Sequence, residues 1–451
     1  MLYPDDRCPL ALWEQTFDHL LDRLKSTIAP GEDFQLTLWA EDSQFIRFNR
    51  AKVRQGGRVQ DGALSLSLWG GDRVAQYHLP FQGDLARDWL TLETALEDLR
   101  HQLPSLLPDP HGVRPQGTAH SHHHYPGQLL DPHHAATKIL EPVADLDFAG
   151  LYAGGCCVRA QGDSAGQRHW FSTESFTLDY SCWTGEGQAV KGYYGDRSWD
   201  EDTYRSQIAA HRQNLTQLQR PALTLERGDY ATYLAPAAVA DLLDLAGSAL
   251  AEMAFQRGDS PFLPLRRGEQ RLSPHLTLGE NFTLGLGPGF NEQGQLAPDR
   301  QVLIAGGELV STLISSRTAQ AYGLTSNGAT AGESLRSPEI LPGDLSEAQI
   351  LPTLDRGLYV SNLHYLNWSD LPAGRITGMT RYGCFWVEGG EIVAPIAHLR
   401  FDDSLDRLWG SQLVALTEER LLIPETSTYG RRALGGAMVP GALLSEMRYT
   451  L

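Results

Sequence analysis

The chain has 451 residues, of which 41% are hydrophobic and 20% charged, and its formal net charge is −18. The apolar fraction is enough for packed cores and excludes disorder of the whole chain, while the length points to two or three domains of roughly 150–200 residues each. A surface this acidic repels phosphate backbones and anionic lipid, so nucleic acid and membrane surfaces are not expected partners.

Residues 1–15 show no basic segment followed by an apolar one, which predicts no signal peptide. The apolar runs are far shorter than the ~20 residues a membrane helix needs. Five cysteines (Cys8, Cys156, Cys157, Cys182 and Cys384), few and odd in number, fit unpaired thiols in a reducing compartment. A cytoplasmic protein is expected.

In chain order, Leu12, Phe17, Leu20, Leu21 and Leu24 recur at helical spacing. Alternating runs at 35–39, 45–50, 63–69 and 73–79 read as strands, bounded by Gly-Gly and Asp-Gly turn pairs. A second amphipathic stretch, 85–103, ends at Pro104. Residues 1–104 therefore predict a helix–sheet–helix domain. Residues 105–135 read as a Pro/His-rich linker, the six prolines from 104 to 132 interrupting any periodicity. A middle region, 136–220, carries strands at 151–159 and 168–183 and a helix over 202–218. The remainder, 221–451, predicts a strand-rich C-terminal domain with one apolar central helix, 236–255, whose Pro236 suits a first turn. Within it Ala305-Gly-Gly-Glu and Glu388-Gly-Gly-Glu both read as tight hairpins. The fold class is α+β with two domains.

Seven of the fifteen histidines (His111, His120, His122, His123, His124, His133 and His134) fall within this linker. Imidazoles bind zinc, copper or nickel, so metal affinity is chemically possible there. A Pro-rich loop is nevertheless a poor frame for a fixed catalytic geometry, and a polar linker is the plainer reading. Gly162-Asp-Ser-Ala-Gly166 matches the nucleophile-elbow pattern, but the following Gln-Arg-His-Trp-Phe alternates like a strand and favours a hairpin loop around Ser164. Adjacent Cys156 and Cys157 cannot form a Cys-x-x-Cys motif; buried, inert thiols are expected. The chain contains no Gly-Lys and no His-Glu dipeptide, which removes the Walker A loop and the helical zinc-protease motif.

Several stretches together resemble the TldD/PmbA family: Ser43-Gln-Phe-Ile-Arg-Phe-Asn-Arg-Ala-Lys-Val-Arg-Gln55, residues 184–199 from Thr-Gly-Glu-Gly-Gln to Asp-Arg-Ser-Trp, residues 316–328, and Gly383-Cys-Phe-Trp-Val-Glu-Gly-Gly-Glu-Ile-Val-Ala-Pro395. The resemblance implies a small N-terminal α/β domain, a larger strand-rich C-terminal domain, and a two-subunit cytoplasmic zinc peptidase. In that family the TldD-type subunit carries a His-Glu-x-x-x-His helix and a later cysteine as ligands, which the PmbA/TldE-type subunit lacks. Laid on this chain, the motif falls on residues 242–250, with Asp244 at the first histidine, Leu245 at the glutamate and Ala249 at the second histidine. The later ligand falls near 429–436, where there is no cysteine. A leucine cannot act as base and an alanine cannot ligate.

The resemblance thus implies a PmbA/TldE-like chain with no catalytic, cofactor-binding or metal-binding residues of its own, zinc being expected only in a TldD-type partner. The leading expectation is a non-catalytic subunit that shapes the cleft of a heterodimeric peptidase and grips extended peptide by strand addition. The alternative is a stand-alone homodimeric peptide-binding scaffold. A hydrolase using Ser164 or Cys157 as a new nucleophile finds no support in the residues around either.

Overall fold

The computed structural model describes residues 8–450; residues 1–7 of the N-terminal stretch read for a leader lie outside the described residues. Helix α1 (Leu10–Thr27) is followed by three antiparallel strands, β1 (Glu32–Asn49), β2 (Lys52–Gly70) and β3 (Arg73–Pro80), and by α2 (Leu85–Gln102). Along β1 the side chains of Phe34, Leu36 and Leu38 alternate onto one face and pair with Leu68, Leu66 and Leu64 of β2. Trp13, Phe17, Leu20 and Leu24 of α1 and Leu92, Leu96 and Leu99 of α2 cover that face. Asp84 caps α2 by accepting from the N–H groups of Ala86 and Arg87.

The chain then forms β4 (His120–Tyr125), α3 (Ala135–Leu140), β5 (Asp147–Asp163), β6 (Arg168–Trp183), β7 (Ala189–Asp196) and α4 (Glu201–Leu218). Strand β5 pairs with β1, so a single seven-stranded sheet runs β3-β2-β1-β5-β6-β4, with β7 also on β6. The expected boundary after residue 104 therefore does not separate two sheets. Nor is 105–135 only a linker: His120–Tyr125 pair in parallel with Arg168–Thr173. Five of its six residues are histidine or serine, so no apolar alternation marks this edge strand in the sequence.

A second correction concerns the thiols. Cys8, just before α1, is disulfide-bonded to Cys156 of β5, with Cα atoms 6.4 Å apart, because α1 packs across that strand. Cys157, Cys182 and Cys384 are free and buried, as expected.

The second half is an eleven-stranded sheet: β8 (Gly228–Leu234), β9 (Leu278–Asn281), β10 (Arg300–Ala305), β11 (Glu308–Leu309), β12 (Pro338–Ile340), β13 (Gly357–Asp370), β14 (Arg375–Glu388), β15 (Glu391–Pro395), β16 (Arg400–Ser404), β17 (Leu413–Pro424) and β18 (Gly436–Tyr449). Both Gly-Gly hairpins form as expected, β10–β11 and β14–β15, with Gly306, Gly307, Gly389 and Gly390 at positive φ. Strand β8 pairs with both β13 and β18, so β18-β16-β14-β13-β8 closes on itself and leaves no edge within that ring.

Against this ring packs α5 (Pro236–Gly247), buried through Ala238, Val239, Leu242, Leu243 and Ala246. The expected continuous helix to residue 255 breaks at Ala251, which turns extended (φ −65°, ψ 126°) before α6 (Glu252–Arg257). Tertiary pairing overrides helix propensity there. The Leu313 N–H donates to Leu250 O and the Glu252 N–H donates to Leu313 O. The buried Glu252 carboxylate is held by Arg266, Gln256 and the Thr312 hydroxyl. Among the described residues no helix is long and apolar enough to cross a membrane.

Candidate functional site

A cleft of about 570 Å³ lies between α5 and the first sheet. Helical periodicity selects what α5 presents to it: Ala240, Asp241, Leu243, Asp244, Gly247 and Ser248 line the cleft. The loops at 287–288 and 334–338 and the segment 423–437 line it as well, and the first sheet contributes Arg159 and Tyr193.

Two carboxylates on α5 set the electrostatics. Asp241 accepts a hydrogen bond from the Leu363 N–H at 3.0 Å. Burial pushes its pKa up to about 6, with the charge of Asp244 adding to the rise. Asp244 is raised by burial and then by the charge of Glu425 across the cleft. The cationic side is Arg159, whose guanidinium donates to the neighbouring Val158 O at 2.8 Å and lies 5.5 Å from the Trp39 ring. Burial lowers its pKa to about 10, which leaves it positive at neutral pH. Arg336 shapes one wall by donating to the carbonyls of Pro288, Phe290 and Gly328, while its own N–H donates to Glu280.

The segment after β17 closes the cleft through a contact the sequence did not disclose. Arg432 is 2% exposed although it is an arginine in a loop. Its guanidinium donates to Gly155 O at 3.2 Å and to Ser175 O at 2.7 Å, and its backbone N–H donates to Glu41. The neighbouring Arg431 stacks on Trp39 at 4.9 Å. This loop therefore latches the C-terminal half onto strands β1, β5 and β6 beside the cleft.

Of the three positions the motif was laid upon, Asp244 lines the cleft, Leu245 packs partly buried against the C-terminal core, and Ala249 is 3% exposed within that core. Helix phase decides which of these side chains share the cleft face, and of the three positions only Asp244 does. The segment that matches the later ligand does reach the cleft, through Leu434, Gly435 and Gly436. The lining does not fit a zinc centre, since it includes neither a histidine nor a cysteine. Among the described residues no group of three or more His, Cys, Asp or Glu could hold a metal ion.

Four of the seven linker histidines, His120, His122, His123 and His124, lie along β4. His122 pairs with Glu14 at 2.9 Å, His124 shares a hydrogen bond with Ser172 at 2.9 Å, and His123 stacks on Tyr125, while His120 is exposed. Ser164 sits in the β5–β6 hairpin loop, its hydroxyl donating to Asp33 at 3.0 Å. Cys157 is fully buried, and burial raises its thiol pKa, the opposite of an activated nucleophile.

The pattern of the PmbA/TldA metallopeptidase C-terminal domain matches residues 227–450, which carry α5 and the latch loop. The metalloprotease PmbA of Escherichia coli O157:H7 is 32% identical over 155 residues, so the match spans a third of the length of that curated relative (33%) and 33% of this chain. Three solved structures share the fold at low identity. TldE from Thermococcus kodakarensis has a TM-score of 0.77 at 14% identity, covering 97% of this chain and 100% of its own. A proposed modulator of a DNA gyrase from Thermotoga maritima MSB8 has a TM-score of 0.74 at 15% identity, covering 97% and 100%. A similarly described protein from Bacteroides thetaiotaomicron VPI-5482 has a TM-score of 0.75 at 16% identity, covering 97% and 98%. By domain pattern, sequence relative and fold alike, this chain belongs to the TldD/PmbA family of metallopeptidase-related proteins.

Proposed function

We propose that this chain is the PmbA/TldE-like, non-catalytic member of a two-subunit zinc peptidase of the cytoplasm, and that its cleft holds extended peptide for a TldD-type partner. One observation carries the reading. Helix α5 and the segment 429–436 both reach the cleft, yet neither a histidine nor a cysteine lines it.

An extended peptide suits the cleft. Its carboxylates on α5 and Arg159 opposite complement the alternating partial charges of a peptide backbone, and no nucleophile is paired with a base there. Asp244 is a carboxylate that faces the cleft. Without ligands to hold a metal-bound water beside it, it has nothing to deprotonate.

Copurification tests this. The tagged chain is recovered from its native cell, and the partners are identified and counted. An equimolar chain bearing His-Glu-x-x-x-His, with peptidase activity in the pair and none in this chain alone, is the expected result. Recovery of only a self-associated form that cleaves peptides would overturn the proposal.

A further inference from the structure

A second cavity, about 260 Å³, adjoins the cleft and shares Pro424, Glu425, Leu434 and Gly435 with it. One wall is β6, on which Thr173, Ser175 and Thr177 stand at alternate positions and so share a face. Two donors on this wall are unused. Thr173 is 1% exposed and its hydroxyl has no partner; Arg432 is 2% exposed and its Nε–H has none either, although its other guanidinium nitrogens hold Gly155 and Ser175. Buried polar groups are almost always paired, so two unpaired donors lining one cavity point to a ligand that supplies acceptors.

The charges on the wall agree. Arg197 lines the cavity with its guanidinium 5.3 Å from the Tyr125 ring, and no carboxylate among the described residues forms an ion pair with it. The two acids present are engaged locally: Asp196 accepts from the Arg197 N–H at 2.6 Å, and Glu425 accepts from the Ser427 N–H at 2.8 Å. The remaining lining is apolar, with Phe176, Leu286 and Met438. A carboxylate beside an apolar side chain matches this set, and the volume suits one or two amino-acid residues.

We infer that this cavity receives the C-terminal residue of a bound peptide, its carboxylate on Arg197, Arg432 Nε–H and the Thr173 hydroxyl, with the rest of the peptide leading out through the adjoining cleft. The inference rests on the peptide-holding reading given above, and it adds a direction and an end to that binding. Arginine's planar fork is suited to carboxylate, and such charge-assisted hydrogen bonds are the strong ones.

The test uses the full chain and an unstructured ten-residue peptide ending in leucine, made both as the free acid and as the C-terminal amide, with binding followed by fluorescence anisotropy. The acid is expected to bind at least ~10-fold more tightly than the amide. In Arg197→Ala and in Thr173→Val, acid binding should fall towards the amide's level while amide binding holds, which also reports that the variants are folded. Equal affinity of acid and amide for the wild type would overturn the inference and leave peptide holding intact. Binding of neither peptide would overturn both.

Discussion

Asp241 offers the sharpest quantitative prediction. It lies on α5 with one hydrogen bond, from the Leu363 N–H, and burial lifts its pKa from 3.8 to about 6. A shift of about 2 pH units corresponds to about 3 kcal/mol between the two protonation states. Because the folded state holds this proton more tightly than the unfolded chain does, the native state binds more protons between pH 4 and 6. Stability from this group therefore falls as pH rises through that window and stays low above it. Asp241→Asn keeps an acceptor for Leu363 and removes the ionisation. Urea unfolding of both proteins from pH 4.5 to 8 should show the variant gaining up to ~3 kcal/mol over wild type as pH passes 6, then a constant difference. Comparing the two proteins isolates Asp241 from His211, whose burial lowers its pKa to about 4 and which acts in the opposite direction over much of the same window. A difference that does not change with pH, or a variant less stable than wild type at pH 8, would refute the reasoning.

Three further outcomes follow from the structure. Arg432→Met removes the donors to Gly155 O and Ser175 O, both part-buried, which should cost about 1–3 kcal/mol and make the latch loop susceptible to limited proteolysis. Cys8→Ser opens a 148-residue disulfide loop; it should lose about 2–5 kcal/mol under oxidising conditions and nothing in dithiothreitol, as read by thermal unfolding with and without reductant. Glu252→Ala leaves Arg266 and Thr312 without their shared carboxylate and should destabilise the C-terminal half by about 2–4 kcal/mol, measured by its urea midpoint.

What the sequence disclosed was local. The helix expected over 85–103 is α2 (Leu85–Gln102), because Asp84 and the spacing of Leu92, Leu96 and Leu99 are contained within one stretch of chain. The Gly-Gly hairpins were legible for the same reason, since a two-residue turn dictates its own φ values. What it concealed was contact between distant segments. His120–Tyr125 is a strand because Arg168–Thr173 accept it, not because its own pattern is strand-like. Strand β8 joins β18 across some 200 residues, and no periodicity announces that. Arg432 reads as a surface charge until Gly155 and Ser175 are brought to it, and with them the cleft. Which α5 side chains face the cleft was hidden for the same reason: Asp244 lines it, whereas Leu245 and Ala249 pack with the C-terminal core.

The central claim is that this chain keeps the family's cleft without its metal donors, so the most direct test is its zinc content. The purified chain, dialysed against buffered zinc and then against metal-free buffer, is analysed by mass spectrometry for bound metal, beside a variant with His120, His122, His123 and His124 all replaced by asparagine. The account predicts less than ~0.1 zinc per chain in the variant, with any zinc on the wild type lost on that replacement. One tightly held zinc per chain in both proteins would contradict it.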